Sequence, residues 1–211
     1  MSKPRIAVVG IGRLGDIHTN LVNCGDLFDL IAIVEPVESA RLKATKKFSV
    51  RGAEDISEIT DQIDCAIIAT PTLYHFEVAQ TLLNAGKHLL IEKPISIEIG
   101  EADDLIALAE SKELILQVGH VERFNPAFSA VAKHVATPMF INAIRTANYS
   151  FRSTDIGVTL DLMIHDIDLI LSLIDSPIAA IDAVGSVVVG PHEDTANARL
   201  TFKNGAFANL T

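Results

Sequence analysis

RIAVVGIGRLG, residues 5–15, is the stretch on which the reading of this chain turns. Ile6, Ala7, Val8 and Val9 form a short, mostly branched apolar run, as in a parallel strand buried on both faces. Gly10, Gly12 and Gly15 interrupt that run and open a helix. Gly10 allows the tight turn off the strand. Gly12, lacking a Cβ, lets the backbone approach a pyrophosphate, and Gly15 lets the helix lie against the sheet. Ile11, Arg13 and Leu14 fill out the turn, and the helix N-terminus offers N–H groups and a positive dipole end to an anion. A second apolar run, residues 30–34, ends in Glu35, twenty positions beyond Gly15. A carboxylate there accepts hydrogen bonds from an adenosine ribose diol and repels a 2′-phosphate. The stretch predicts a dinucleotide site with NAD preferred over NADP.

Working outward, strand and helix patterns alternate to about residue 120. Helical periodicity runs over 38–48 and, briefly, 56–63. Residues 64–70 (DCAIIAT) read as a buried strand that Pro71 stops, placing Thr70 and Pro71 at the carboxyl edge of the sheet, where ligands bind in such folds. A helix over 76–84 ends near Gly86, a strand covers 87–91, a helix 99–110 and a strand 114–119. This implies a doubly wound parallel sheet of Rossmann type over residues 1–120. The rhythm then changes. Residues 121–126 read as a connector, 127–135 as a short helix, 139–149 as a half-exposed strand and 157–173 as a helix. Strands follow over 178–189, 195–203 and 206–210, the last two joined through Asn204-Gly205, a strong hairpin signal. Residues 121–211 therefore read as an α+β domain with an open, mainly antiparallel sheet that stops inside a strand pattern, as an incomplete, C-terminally truncated domain would.

The composition excludes several classes. The 211 residues carry a formal net charge of −10, which argues against nucleic acid as partner. It also requires that any anionic substrate be held by local positive groups. Although 49% of residues are hydrophobic, no apolar run is long enough to cross a bilayer, so no membrane partner is expected. The chain enters its first strand too soon for a signal peptide, and a cytoplasmic location is expected. Cys24 and Cys65 match no metal or redox spacing and read as reduced core thiols. Edge strands in the second domain need covering, so a homo-oligomer, dimer or tetramer, is expected.

Three groups carry candidate chemistry. Lys93, held by Pro94 at the carboxyl end of a central strand, places an ammonium toward the nicotinamide half of the crevice. Asp161 and His165 lie four apart on a predicted helix and so share one face, where a carboxylate can set the tautomer of the imidazole. Asp168 shares that face, but further ligands are lacking and no metal is expected. Arg123, Arg145 and Arg152 supply guanidinium forks suited to a diphosphate.

GIGRLG (10–15), TPTLYH (70–75), EKP (92–94) and the D-x-x-x-H pair Asp161/His165 together resemble the Gfo/Idh/MocA family of NAD(P)-dependent sugar oxidoreductases. GHVERFNPAF (119–128), TDIGVTLDLMIHDID (154–168) and DTANARLTFKNGAFANLT (194–211) are similar to the branch that oxidises the 3-hydroxyl of UDP-N-acetylglucosamine. The resemblance implies that Thr70, Pro71 and Glu92 belong to the cofactor site, with His75 behind the turn. It implies Lys93, His165 and Asp161 as catalytic groups; Arg123, Asn125 and Arg152 are expected beside the nucleotide-sugar substrate. His165 would take the hydroxyl proton, Lys93 would stabilise the developing oxyanion, and Asp161 would orient His165 or bond the sugar. It further implies that the 3-keto product passes to an aminotransferase on the way to a surface lipid or polysaccharide, and that members of the family continue past this chain's last residue. Two other readings stay open: oxidation of inositol, a free sugar or a UDP-uronic acid by the same kind of enzyme, and a non-catalytic NAD-binding regulator.

Overall fold

In the structure, a computed structural model that describes residues 2–148 and 156–211, the chain divides into two units, Met1–Gly119 and His120–Thr211. The first is built on six strands: β1 (Arg5–Val9), β2 (Asp29–Val34), β3 (Arg51–Ala53), β4 (Cys65–Ile68), β5 (His88–Ile91) and β6 (Leu116–Val118). All pair in parallel, in the order β3-β2-β1-β4-β5-β6. Helices α1 (Arg13–Cys24), α2 (Glu38–Phe48), α3 (His75–Asn84) and α4 (Ile99–Ser111) connect them.

Period-two alternation along the strands sends their side chains into cores on both faces. Ala7 and Val9 of β1, Ala66 and Ile68 of β4 and Leu89 and Ile91 of β5 pack with Leu82 and Leu83 of α3 and Leu105 of α4. On the opposite face Ile6, Val8 and Ile67 meet Val22 of α1, while Ile33 meets Ala44 and Phe48 of α2. Asp64, at the foot of β4, accepts from the Arg5 backbone N–H at 2.8 Å and from its guanidinium at 3.1 and 2.6 Å. Those bonds and the Arg5 charge hold the Asp64 carboxyl well below the usual carboxylate range. α3 ends as its Gly86 predicts: Gly86 N donates to Leu83 O at 2.9 Å and Lys87 N to Leu82 O at 3.0 Å.

Two local expectations change. β3 escapes the periodicity because its three residues, Arg-Gly-Ala, carry no alternation; as an edge strand it needs only β2 as partner. The helical stretch expected over 56–63 is two 3-10 turns, Ile56–Glu58 and Thr60–Gln62. Asp55 caps the first by accepting from Ser57 N at 2.9 Å, and Glu58 returns a bond from Asp55 N at 3.1 Å.

Among the described residues the second unit contains α5 (Pro126–Ala132), α6 (Ile164–Leu173) and four strands, β7 (Phe140–Ala143), β8 (Ile178–Ser186), β9 (Thr195–Phe202) and β10 (Phe207–Leu210). Their order is β7-β10-β9-β8, parallel between β7 and β10 and antiparallel elsewhere. One face is apolar: Leu200, Phe202, Ala208 and Leu210 pack under Met163, Ile170 and Ile174. The β9–β10 turn closes with Phe202 N donating to Ala206 O at 2.8 Å and Asn204 Oδ1 accepting from Ala206 N at 3.0 Å. The strand expected over 139–149 is four residues long where described, and the expected helix over 157–173 is divided. Thr159–Met163 is a π-helical turn that runs into α6. No helix among the described residues is long and apolar enough to cross a membrane.

The cysteines need correction, since Cys24 is exposed at the end of α1 and only Cys65 is partly enclosed. Burial, with the Asp64 charge beside it, pushes the Cys65 thiol up to about 11. At pH 8 about one molecule in a thousand then carries the Cys65 thiolate. Iodoacetamide should modify Cys24 first, and the Cys65 rate should climb with pH toward 11; peptide mass mapping over a pH series checks both.

A Cβ on Gly15 would lie 1.8 Å from the Gly10 carbonyl oxygen, whereas one on Gly12 meets nothing within 4 Å. Gly15→Ala should therefore lower the unfolding free energy by about 2 kcal/mol or more, as overpacking against backbone does. Gly12→Ala should stay within about 0.5 kcal/mol of wild type. Urea unfolding followed by circular dichroism separates the two.

Candidate functional site

In the first unit the chain runs outward from β1 through β2 to β3, then crosses back to β4 on the other side of β1. The crevice at the carboxyl ends of β1 and β4 is the topological switch point where open α/β sheets bind ligands. Gly10, with φ of +87°, makes the turn there, a conformation that a side chain would strain. Beyond it Gly12, Arg13 and Leu14 are exposed between buried Gly10 and Gly15, and among the described residues no side chain caps the N-terminus of α1. The first N–H groups of a helix have no partner within it. A row of exposed first-turn residues with room above Gly12 fits an anionic linker.

The groups around this turn have defined partners. Glu35 Oε2 accepts from Ile11 N at 3.0 Å and Oε1 from Val37 N at 3.0 Å, so the acidic group is clamped across the glycine turn. After β4, the buried Thr70 hydroxyl has no hydrogen-bond partner among the described residues, an orphan that suits a hydroxyl- or amide-bearing ligand. Pro71 is exposed beside it. His75 is 1% exposed and sits behind the turn, its Nδ1 2.8 Å from Pro94 O and its Nε2 3.0 Å from Thr70 O. It braces the loops after β4 and β5. A neutral ring donates to one of those two carbonyls at a time.

β5 delivers Glu92, Lys93 and Pro94. Lys93 is half-buried and Glu92 is 5% exposed. Glu92 Oε1 accepts from His18 Nε2 of α1 at 2.6 Å. His18 was not among the sequence candidates. Its signal lay in the spacing: three residues after Gly15, it shares the sheet-facing side of α1 with Gly15 and Val22.

The second unit holds the other candidates. Asp161 lies within the π-helical turn and His165 in the first turn of α6, both half-buried. π-helical turns recur at functional sites because they re-aim side chains within a helix. Arg123, in the turn Val121–Phe124, donates from Nε to Asp168 Oδ2 at 2.7 Å and from Nη2 to Asp168 Oδ1 at 2.5 Å. Arg145 makes the same bidentate pair with Asp166, at 2.9 Å for both bonds. Hydrogen bonds from these carboxylates raise both guanidinium pKa values above the ordinary arginine value. Two of the three forks expected to meet a diphosphate are thus engaged by carboxylates of α6. Asn125 caps α5 by accepting from Ala127 N at 3.0 Å and is exposed. Arg152 lies outside the described residues. Among the described residues no three or more His, Cys, Asp or Glu gather to hold a metal ion.

Comparison with known proteins places this architecture. The model of an oxidoreductase family with an NAD-binding Rossmann fold, Gfo/Idh/MocA, matches residues 4–120, and the Gfo/Idh/MocA C-terminal domain matches residues 132–211. UDP-N-acetylglucosamine 3-dehydrogenase of Acidithiobacillus ferrooxidans is 34% identical over 207 residues, covering 98% of this chain and 66% of that protein. Its solved structure superposes with a TM-score of 0.92, covering 100% of this chain and 69% of that one. Scyllo-inositol dehydrogenase from Lactobacillus casei, 26% identical, gives 0.88 over 99% of this chain and 68% of that one. The chain thus spans about two thirds of the length of these relatives. The glycine turn, the switch-point crevice and the two matched domains lead to one conclusion: the chain belongs to the Gfo/Idh/MocA oxidoreductase family, with an NAD-binding Rossmann fold as its first unit.

Proposed function

We propose that the protein uses NAD to oxidise a secondary hydroxyl of a nucleotide sugar, the 3-hydroxyl of UDP-N-acetylglucosamine, to the 3-keto sugar. The observation that carries this reading is the likeness to the Acidithiobacillus enzyme, 34% identity that runs through both units over 98% of the chain. Residues 1–120 serve as the dinucleotide-binding domain and residues 121–211 as the substrate-binding and oligomerisation domain. NAD, when bound, supplies the hydride acceptor. The chain's own residues manage the proton and the charge. His165 accepts the hydroxyl proton, a role that suits imidazole near neutral pH. The Lys93 ammonium stabilises the oxygen as negative charge develops on it. Asp161 orients His165 or bonds the sugar. The exposed first turn of α1 receives the diphosphate of the cofactor, and Glu35 its adenosine ribose, by exchanging the Ile11 N–H for a sugar hydroxyl. Thr70 and Pro71 line the same ligand. Arg123, Asn125 and Arg152 face the nucleotide sugar. Arg123 acts there as a pair with Asp168, and so attracts a diphosphate less strongly than a lone guanidinium.

The same reading places the protein in the cytoplasm as a homodimer or homotetramer. It hands a ketone to an aminotransferase in the building of a surface lipid or polysaccharide.

The test uses the full-length protein with NAD and a panel of sugars, following absorbance of the reduced cofactor. UDP-N-acetylglucosamine should be turned over, and inositol and free sugars should not. Turnover of free polyols alone overturns the substrate assignment, and NAD binding without turnover of any sugar favours the non-catalytic regulator. His165→Ala should lower kcat by roughly 10²- to 10⁴-fold, the usual worth of a positioned acid–base group, while the affinity for NADH changes little. Gly12→Ala should show the reverse pattern, weak NADH binding in a protein of normal stability.

A further inference from the structure

Glu92 presents a chemical problem that the roles above leave unsolved. Its side chain is 7% exposed, and a buried carboxylate is stable only when paired and hydrogen-bonded. It meets the His18 ring at 2.6 Å, itself 16% exposed. An ionised carboxylate only accepts, so His18 Nε2 carries the proton of this bond. The rest of the carboxylate lies over Gly119, just past β6: a Cβ there would fall 3.0 Å from Glu92 Oε2 and 3.2 Å from Cδ. The backbone at this level is already laced. Glu92 N donates to Ile68 O at 2.9 Å and Gly119 N to Ile91 O at 2.7 Å. One carboxylate therefore gathers α1, the end of β5 and the end of β6.

We infer that His18 is a positioning residue: by donating to Glu92 it ties the helix that receives the dinucleotide to the strand end that carries Lys93. The inference deepens the function proposed above and rests on it for the role of Lys93. α1 is pinned at its start by the contact of Gly15 with the Gly10 carbonyl and, one turn on, by His18. Any shift of that helix is passed to Glu92, and residue 93 follows within one peptide bond. Without His18 the buried carboxylate must either turn to another donor in the protein or swing toward water. Both movements disturb the backbone that sets the Lys93 ammonium. Misplacement of a catalytic group by about 1 Å costs on the order of 10²-fold in rate. Gly119 contributes the third side of the same seat, because a Cβ there makes the carboxylate give by a few tenths of an ångström.

The experiment compares His18→Leu, His18→Gln and Gly119→Ala with the wild type, all in the full-length protein. Two readouts are taken: kcat, KM and NADH affinity in the dehydrogenase assay, and the ¹³C resonance of reductively methylated Lys93 without substrate, assigned with Lys93→Arg. His18→Leu should lower kcat by about ten- to a hundredfold with KM little changed; Gly119→Ala, which makes the carboxylate give by only a few tenths of an ångström, should lower it less, and each should move the Lys93 resonance. His18→Gln, whose amide nitrogen can occupy the place of Nε2, should recover most of kcat and the original resonance. Equal impairment in His18→Gln and His18→Leu overturns the inference. So does a Lys93 resonance that stays put in His18→Leu, whatever happens to thermal stability. Gly119→Ala keeps the test decisive should His18→Leu fail to fold, since it moves the carboxylate with His18 in place. If the wild type turns over no nucleotide sugar, the functional reading has failed, and the resonance alone still decides whether His18 sets Lys93.

Discussion

The first unit depends on one contact, the Cα of Gly15 against the carbonyl of Gly10. A single added carbon would lie 1.8 Å from that oxygen, so no other residue lets α1 approach the β1 turn this closely. The approach does two things at once. It brings the positive end of the helix to the carboxyl edge of the sheet, and it sets the face bearing His18 and Thr19 against the strands, where Thr19 Oγ1 donates to Gly15 O at 2.7 Å and His18 reaches Glu92. Packing and ligand recognition therefore share one geometric origin.

Buried carboxylates organise the rest. In the first unit Glu92 is seated by His18, and in the second Asp168 is seated by Arg123 and, at 3.9 Å, faces His120. Low-dielectric surroundings make an unpartnered carboxylate costly, and each of these acids accordingly orders groups drawn from distant parts of the chain. The net charge of −10 raises the importance of such pairings. Positive groups are few, and those held against carboxylates, Arg123 and Arg145, attract a further anion less strongly than their number suggests. The exposed first turn of α1 offers anion binding through backbone N–H groups with no basic side chain required.

The candidate catalytic pair in the second unit shows where periodicity misleads and where it does not. Spacing of four predicts Asp161 and His165 on one face of an ordinary helix, whereas the structure puts Asp161 in the π-helical turn Thr159–Met163 and His165 in the α-helix that follows. What periodicity could not show is the change of helix type, because no residue in TLDLM forbids an ordinary helix. Arg-Gly-Ala of β3 hid for the opposite reason, being too short and too poor in apolar residues to alternate. Cys24 looked like a core thiol because cysteine so often is one, yet α1 turns it outward.

By itself the sequence determined the order of strands and helices apart from β3 and the turns after it, the glycine turn, the acidic end of β2 and the residue types at the β5 end. These are local matters, written in apolar period, glycine placement and spacing along the chain. Only the tertiary structure decided which partner each charged group found. Arg123 and Asp168 stand 45 residues apart, and His18 and Glu92 stand 74 apart. No periodicity links positions so distant. Their meeting follows from the crossing of the chain between β3 and β4 and from the folding of α6 onto its sheet, where the need to neutralise a buried acid selects the nearest donor.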